Sequence, residues 1–312
     1  VQHVSVSSRV LALLGLILPW TMLTAQTAYK YRDADGHWVF TDQASPAADS
    51  SESFNLGHEN NALHLSVDRT EDAQSTQLIA VNDCLCVATF QVSVVHSGIA
   101  SIAAGSTYHA TLAPGTRQAL VEAPRTGAGN AELRYAWKVA LGPPDSVHNP
   151  AVPYRAPFGV GSTFLVSQAY PARITHTTAD SQYAVDIALP DGTPVYAARE
   201  GVVISTRHDS YRGALDPVML DQANFIQILH ADGTIALYAH LHWDSIRVRM
   251  GEHVARGQYL ANSGNTGFTS GPHLHFAVMR NSGYEDVSVP IQFAGIAGVP
   301  VVPVTQMPLT AY

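Results

Sequence analysis

Residues 263–278 read SGNTGFTSGPHLHFAV, which sets His273 and His275 one residue apart behind a run of glycines and a proline. Histidine is the commonest metal ligand and an acid–base group near neutral pH. Leu274, Phe276 and Val278 alternate with His273, His275 and Ala277, a period that predicts a strand with both imidazoles on one face. In QYAVDIAL, Asp186 lies between Ala184 and Ala188, opposite the apolar face of Tyr183, Val185, Ile187 and Leu189. In TIALYAHLH, the same period predicts Ile235, Leu237, Ala239 and Leu241 on the core face, and Ala236, Tyr238, His240 and His242 on the other. Small neighbours leave open space around these polar groups. A fourth segment, ARITHTTADS, reads as a loop that can return His176 over the Asp186 face. Any one of these histidines alone is an ordinary surface or core residue. Together they point to chemistry, because two histidines and a carboxylate are a catalytic zinc set that leaves a position open for water. Such a site lowers the pKa of bound water to about 7 and polarises a carbonyl. The spare histidines would supply proton transfer and charge stabilisation. These residue types point to a zinc-dependent hydrolase.

Strands must position these groups. NFIQIL, the turn residues His230-Ala231-Asp232-Gly233 and TIALYAHL predict a β-hairpin. Gly271-Pro272 starts the strand that carries His273 and His275 and keeps a helix from forming there. Upstream, residues 76–141 hold the runs QLIAVN, ATFQVSVV, TYHATL, QALVEA and LRYAWKVAL, separated by Gly, Pro, Ser and Asn. Short strands at this spacing predict a small β-sandwich-like domain. Residues 142–157 are Pro-rich and read as a linker. The residues with chemistry fall in a domain over 158–293, and 294–312 reads as a loosely ordered tail with Gly and Pro at strand-breaking intervals. Near the start, YKYRDADGHWVFTD predicts a hairpin around a D-G turn, within a small domain over 29–50. Residues 51–75, rich in Ser, Asp, Asn and Ala, read as a linker. The fold class expected is mostly β, with no convincing amphipathic helix.

The chain has 312 residues, 46% hydrophobic and 13% charged, which is the composition of globular domains with real cores. A net charge of −8 leaves no basic footprint for nucleic acid or for a polybasic membrane anchor. Arg9, the apolar run VLALLGLIL and small residues near Ala25 and Ala28 describe a secretory signal peptide over 1–28. The run is too short for a stable membrane span. Cys84 and Cys86 are the only cysteines. A C-x-C bridge, two free thiols and an intermolecular bond are all open, because a strand holds such a pair near the upper limit of bridgeable distance.

HTTADSQYAVDIALPDGTPVYAAREGVV, NFIQILHADGTIALYAHL and GEHVARGQYLANSGNTGFTSGPHLHFAV together resemble the lysostaphin-like M23 family of zinc metallopeptidases. The resemblance runs from about 158 to 292. It implies a lysostaphin-like antiparallel β domain with a groove over its sheet, and Zn²⁺ held by His176, Asp186 and His275. It implies His273 as general base, and His240 as the residue that helps activate water or stabilise the tetrahedral intermediate. Many members carry the first ligand four residues before the Asp, where this chain has Gln182. The longer His176 spacing resembles a secreted Gram-negative subgroup. The implied substrate is the peptide cross-link of peptidoglycan, in the periplasm or outside the cell, with glycines 264, 267, 271 and 283 letting the groove rim approach a peptide. Competing readings are an inactive M23-type protein that binds and activates a cell-wall amidase, a histidine phosphocarrier, which the signal peptide argues against, and a latent enzyme covered by residues 50–150. The 29–42 hairpin resembles a small domain of unknown function of proteobacterial envelope proteins.

Overall fold

The computed structural model describes residues 27–32, 38–41, 52–55 and 64–312, apart from 73, 100 and 125–132. The expected signal peptide lies outside the described residues except for its last two. The chain forms two units, residues 1–59 and 60–312. In the first, strands Thr27–Arg32 and Trp38–Thr41 pair antiparallel, with Tyr29 opposite Thr41 and Arg32 opposite Trp38. A third strand, Glu52–Asn55, pairs with the other edge of Thr27–Arg32, inside the stretch read as a linker.

The second unit is built of antiparallel β-sheets. Leu65–Glu71, Ser75–Asn82 and Thr116–Pro124 form one three-stranded sheet, and Thr107–Leu112, Ala88–Ser97 and Leu133–Leu141 form another. Their inner faces meet in a core that includes Leu78, Phe90, Val92 and Val121. The strand Leu65–Glu71 also falls in the expected linker.

The remaining residues centre on a nine-stranded sheet. Its middle runs Phe225–Leu229, Ile235–Ala239, Leu274–Asn281, Val185–Ile187 and Thr163–Gln168. Alternation gives each strand two faces. Ile226, Ile228, Ala236, Tyr238, Phe276, Val278, Val185 and Ile187 lie in one buried core with Tyr154, Phe158 and Phe293. Each such aliphatic side chain removed from water contributes about 1.5–3 kcal/mol. The opposite face is shared. Ile204 and Ile235 belong to the sandwich core. Asn281, also fully buried, donates to Thr89 Oγ1 at 3.0 Å and to the Gly142 carbonyl at 2.8 Å. The sandwich therefore roofs one end of the face on which His275 lies, about 20 Å along the strand from it.

The hairpin at 230–233 forms as expected. His230 N–H donates to Thr234 O at 2.8 Å, and Asp232 Oδ1 accepts from the Thr234 hydroxyl at 2.7 Å. The faces of its second strand are the reverse of the expected ones. Tyr238 is in the core, where its hydroxyl accepts from Ala198 N–H at 2.8 Å. Leu237 and Ala239 instead share the face of Ala277 and His275, their register partners. The strand ends at Ala239, and His240 has φ +62. That left-handed residue breaks the alternation. The His240 ring joins the His275 side while Leu241 returns to the core.

The C-terminal segment is ordered against expectation. Pro308–Thr310 pairs with Thr163–Leu165, and Leu309 and Ala311 are 2% and 1% exposed. Gly and Pro limit the length of its strands, but the Leu309-x-Ala311 alternation fills the core beneath the sheet edge.

Asp286 joins the sandwich to the sheet by accepting from Leu141 N–H at 2.9 Å. Burial pushes its carboxyl up to about 6; the Leu141 N–H opposes this, and the charges of Asp180 and Glu285 add to it. A folded pKa raised above the ordinary carboxylate value gives stability that is full below about pH 4 and is lost as pH rises through 6. Asp286→Asn keeps the acceptor without the charge. Unfolding titrations at pH 4 and pH 7 should show the variant gaining on wild type by about 2–3 kcal/mol across that interval. A second prediction concerns the left-handed residue. That conformation costs a side-chain-bearing residue about 1–2 kcal/mol and glycine almost nothing. His240→Gly should therefore unfold at higher denaturant than His240→Ala, by about 1 kcal/mol in stability.

Candidate metal centre

Antiparallel register sets Asp186 directly opposite His275, with Ala239 opposite His275 on the other side. His275 Nδ1 lies 2.9 Å from Asp186 Oδ1. The 172–181 loop returns over this face as expected, held where Ser288 Oγ donates to Ala179 O at 2.9 Å and accepts from Tyr183 N–H at 2.9 Å. It brings His176 Nε2 to 3.1 Å from Asp186 Oδ2, with the ring only 3% exposed. Burial alone would raise the Asp186 carboxyl, but the imidazoles of His176 and His275 outweigh it and hold it well below the carboxylate range. The carboxyl is ionised at any ordinary pH.

His176, Asp186 and His275 each offer a ligand atom, and these atoms lie within 4.8 Å of one another. Zinc ligands about 2.1 Å from a tetrahedral ion stand about 3.4 Å apart. The observed spacings of 2.9 and 3.1 Å are close to that value. His176 adds an independent sign. Among the described residues neither of its buried ring nitrogens has a hydrogen-bond partner, and Nε2 lies beside the carboxylate without donating to it. An orphaned buried nitrogen is costly unless something else satisfies it. A divalent ion between these three atoms fits the donor set.

Two further imidazoles line the centre. His273 Nδ1 lies 2.8 Å from the Gly271 carbonyl and 3.2 Å from Thr269 Oγ1, and its Nε2 is 3.8 Å from Asp186 Oδ1. His240 Nδ1 lies 2.7 Å from the Thr266 carbonyl, and its ring centre is 4.5 Å from that of His273. A carbonyl can only accept, so Nδ1 carries the proton in both rings and Nε2 presents a lone pair when the ring is neutral. Burial, then the neighbouring His273 and His275, push the His240 imidazole down to about 3.

The structure thus brings together all five residues named from the sequence. His242 turns away, its Nδ1 donating to Trp243 O at 2.6 Å. His148 pairs with the Tyr154 hydroxyl at 3.1 Å, and His230 with Glu200 O at 2.7 Å. Asn224 was not legible in advance as a supporting residue. Asn224 is fully buried, accepts from Ser210 N–H, and donates to Ser210 O and to Leu241 O beside His240. Thr266 and Thr269 hold the two imidazole-bearing turns, and both fall in the Gly-rich stretch that carries the family resemblance. Two rim glycines serve internal packing rather than an incoming peptide. A Cβ on Gly264 would sit 2.4 Å from His242 N, and one on Gly267 2.6 Å from Ala223 N. Gly271 and Gly283 have open space. The side chains of His273 and His275 keep 16% and 15% exposure, so the described part of the sandwich does not seal the centre.

Residues 180–287 match the model of Peptidase family M23, and residues 13–63 match that of a Domain of unknown function (DUF4124). His176 lies just outside the first match, and geometry rather than the match ties it to the centre. Peptidoglycan DD-endopeptidase ShyA of Vibrio cholerae is 34% identical over 125 residues, 39% of this chain and 26% of ShyA. Lysostaphin of Staphylococcus simulans is 33% identical over 100 residues, 32% of this chain and 18% of that protein. The matches thus span about a quarter or less of those relatives. The solved catalytic domain of the prophage-encoded M23 protein EnpA from Enterococcus faecalis is 28% identical, covering 43% of this chain and 92% of that one, with a TM-score of 0.32. Residues 180–287 of this chain thus match a peptidase family M23 domain of the lysostaphin-like type, within an antiparallel sheet that carries a His/Asp centre.

Proposed function

We propose that this chain is a zinc-dependent endopeptidase that hydrolyses peptide cross-links of bacterial peptidoglycan in the cell envelope or outside the cell. The observation that carries the reading is the convergence of His176, Asp186 and His275, with two imidazole lone pairs beside them. An inactive binding protein has no need of the flanking pair. The names of the relatives, a DD-endopeptidase and lysostaphin, support the substrate class.

In this reading His176 Nε2, an Asp186 oxygen and His275 Nδ1 would hold Zn²⁺. Two neutral imidazoles and one carboxylate leave the centre net positive. The ion would activate a water and polarise the scissile carbonyl. His273 Nε2 takes the proton of the attacking water, since Gly271 O fixes the tautomer that leaves this nitrogen free. It then returns the proton to the leaving amine. His240, held in the same tautomer by Thr266 O, orients the water by accepting its second hydrogen. As an acceptor His240 does not donate to the developing oxyanion.

Purified chain should carry about one zinc and release muropeptides from sacculi and from defined cross-linked dimers. His275→Ala should lose both metal and release. If that variant keeps both, the assignment fails. His273→Ala should keep the zinc and lose about 10²–10⁴-fold in rate, a split that separates a base from a ligand. If zinc-loaded wild type cleaves no sacculi yet stimulates a purified cell-wall amidase, the binding-protein reading replaces this one.

A further inference from the structure

The C-x-C pair is chemistry-bearing and unused by the metal centre. Cys84 and Cys86 do not lie in a strand. They occupy the bend between Ser75–Asn82 and Ala88–Ser97. The bend removes the distance limit that an extended strand imposes on residues i and i+2. The two Sγ atoms lie 3.0 Å apart, with the residues 2% and 1% exposed. With no other cysteine in the chain, each has the other as its sole intrachain partner.

The bend is built rather than incidental. Asn82, fully buried, spans it with one carboxamide. Its Oδ1 accepts from Cys84 N–H at 3.1 Å, and its Nδ2 donates to Cys86 O at 2.9 Å and to Leu112 O at 2.9 Å. The backbone on both sides of Leu85 is thereby held with the sulfurs facing.

We propose that Cys84 and Cys86 close to an intrachain disulfide that staples this bend. The oxidant is a disulfide, either the active-site disulfide of a thiol–disulfide oxidoreductase or a small oxidised thiol. Cys84 is the first nucleophile, since its Sγ accepts from Cys86 N–H at 3.4 Å, a contact that favours its thiolate. The Cys84 thiolate attacks one sulfur of the oxidant and releases one thiol. Cys86 gives its proton to solvent and displaces the second. One S–S bond forms in the protein, and two electrons pass to the oxidant, which leaves as two thiols.

The consequence is local. The ring spans three residues, so it removes little entropy from the unfolded chain. Cys86 and Val87 line a cleft of about 870 Å³, with Gly201, Val202 and His253 across it. Val87 O accepts from Gly142 N–H at 2.7 Å, where the sandwich passes into the larger sheet. The bridge would hold that wall in one conformation.

The full chain should be equilibrated with oxidised glutathione, both folded and during refolding, then acid-quenched, denatured and alkylated without reductant. Intact mass should show no alkylated thiol and the loss of two hydrogens, and peptide mapping should link Cys84 to Cys86. Reduction before alkylation should restore two labelled thiols. Asn82→Ala should shift the glutathione ratio for half-closure about tenfold toward the oxidised side, since it frees the bend. Two labelled thiols under both oxidising regimes, stable glutathione adducts or a disulfide-linked dimer would each overturn the proposal.

Discussion

The antiparallel register between Val185–Ile187 and Leu274–Asn281 is the constraint on which the rest depends. It places Asp186 across from His275, at hydrogen-bond distance, with no loop between them. Both strands are central, and both carry core residues on either side of the polar one. Slipping the Asp186 strand by one residue would turn the carboxylate into the apolar core and Val185 and Ile187 out of it, and slipping the other strand would do the same to His275, Leu274 and Phe276. The apolar core beneath the sheet therefore enforces the geometry of the centre above it. The partners that complete it come from less regular backbone: a loop for His176, a turn for His273 and a left-handed residue for His240.

That left-handed residue is strain held at the site. Histidine tolerates φ +62 better than β-branched residues but still at a cost. Core packing of Tyr238 and Leu241 on either side of Ala239 and His240 keeps it there. Thr266 O and the Asn224 carboxamide then fix the ring and the backbone that follows it. The sandwich acts at the other end of the same strands. Through Ile204, Ile235 and Asn281 it covers apolar surface that the sheet face would otherwise expose. The loop that carries His176 is tied to Ser288, two residues from the Asp286 contact with Leu141, so the sandwich also backs the first histidine.

Much of the centre was legible because strand periodicity is local. Asp186 between alanines, and His275 between Leu274 and Phe276, could be assigned faces from their neighbours alone. The same rule failed at TIALYAHLH. Two faces of that strand are apolar, one toward the main core and one toward the sandwich, so alternation could not say which was which. It also assumed that the strand ran through His240. The tail misled for a related reason: Gly and Pro report where strands stop, not whether the residues between them find a core.

Residue types and spacing by themselves determined the mostly β class, the hairpin at 230–233 and the strand- and loop-borne His and Asp side chains; the family resemblance singled out five of them as candidates. The first three follow from interactions between near neighbours in the chain. The tertiary structure decided how those residues converge, which nitrogen of each imidazole faces the centre, and which polar residues hold them. It also decided that the sandwich shares the site-bearing sheet face, and that Cys84 and Cys86 meet in a bend. These depend on which strand lies beside which, and on carbonyls such as Thr266 O and Gly271 O supplied by turns whose positions the packed core sets.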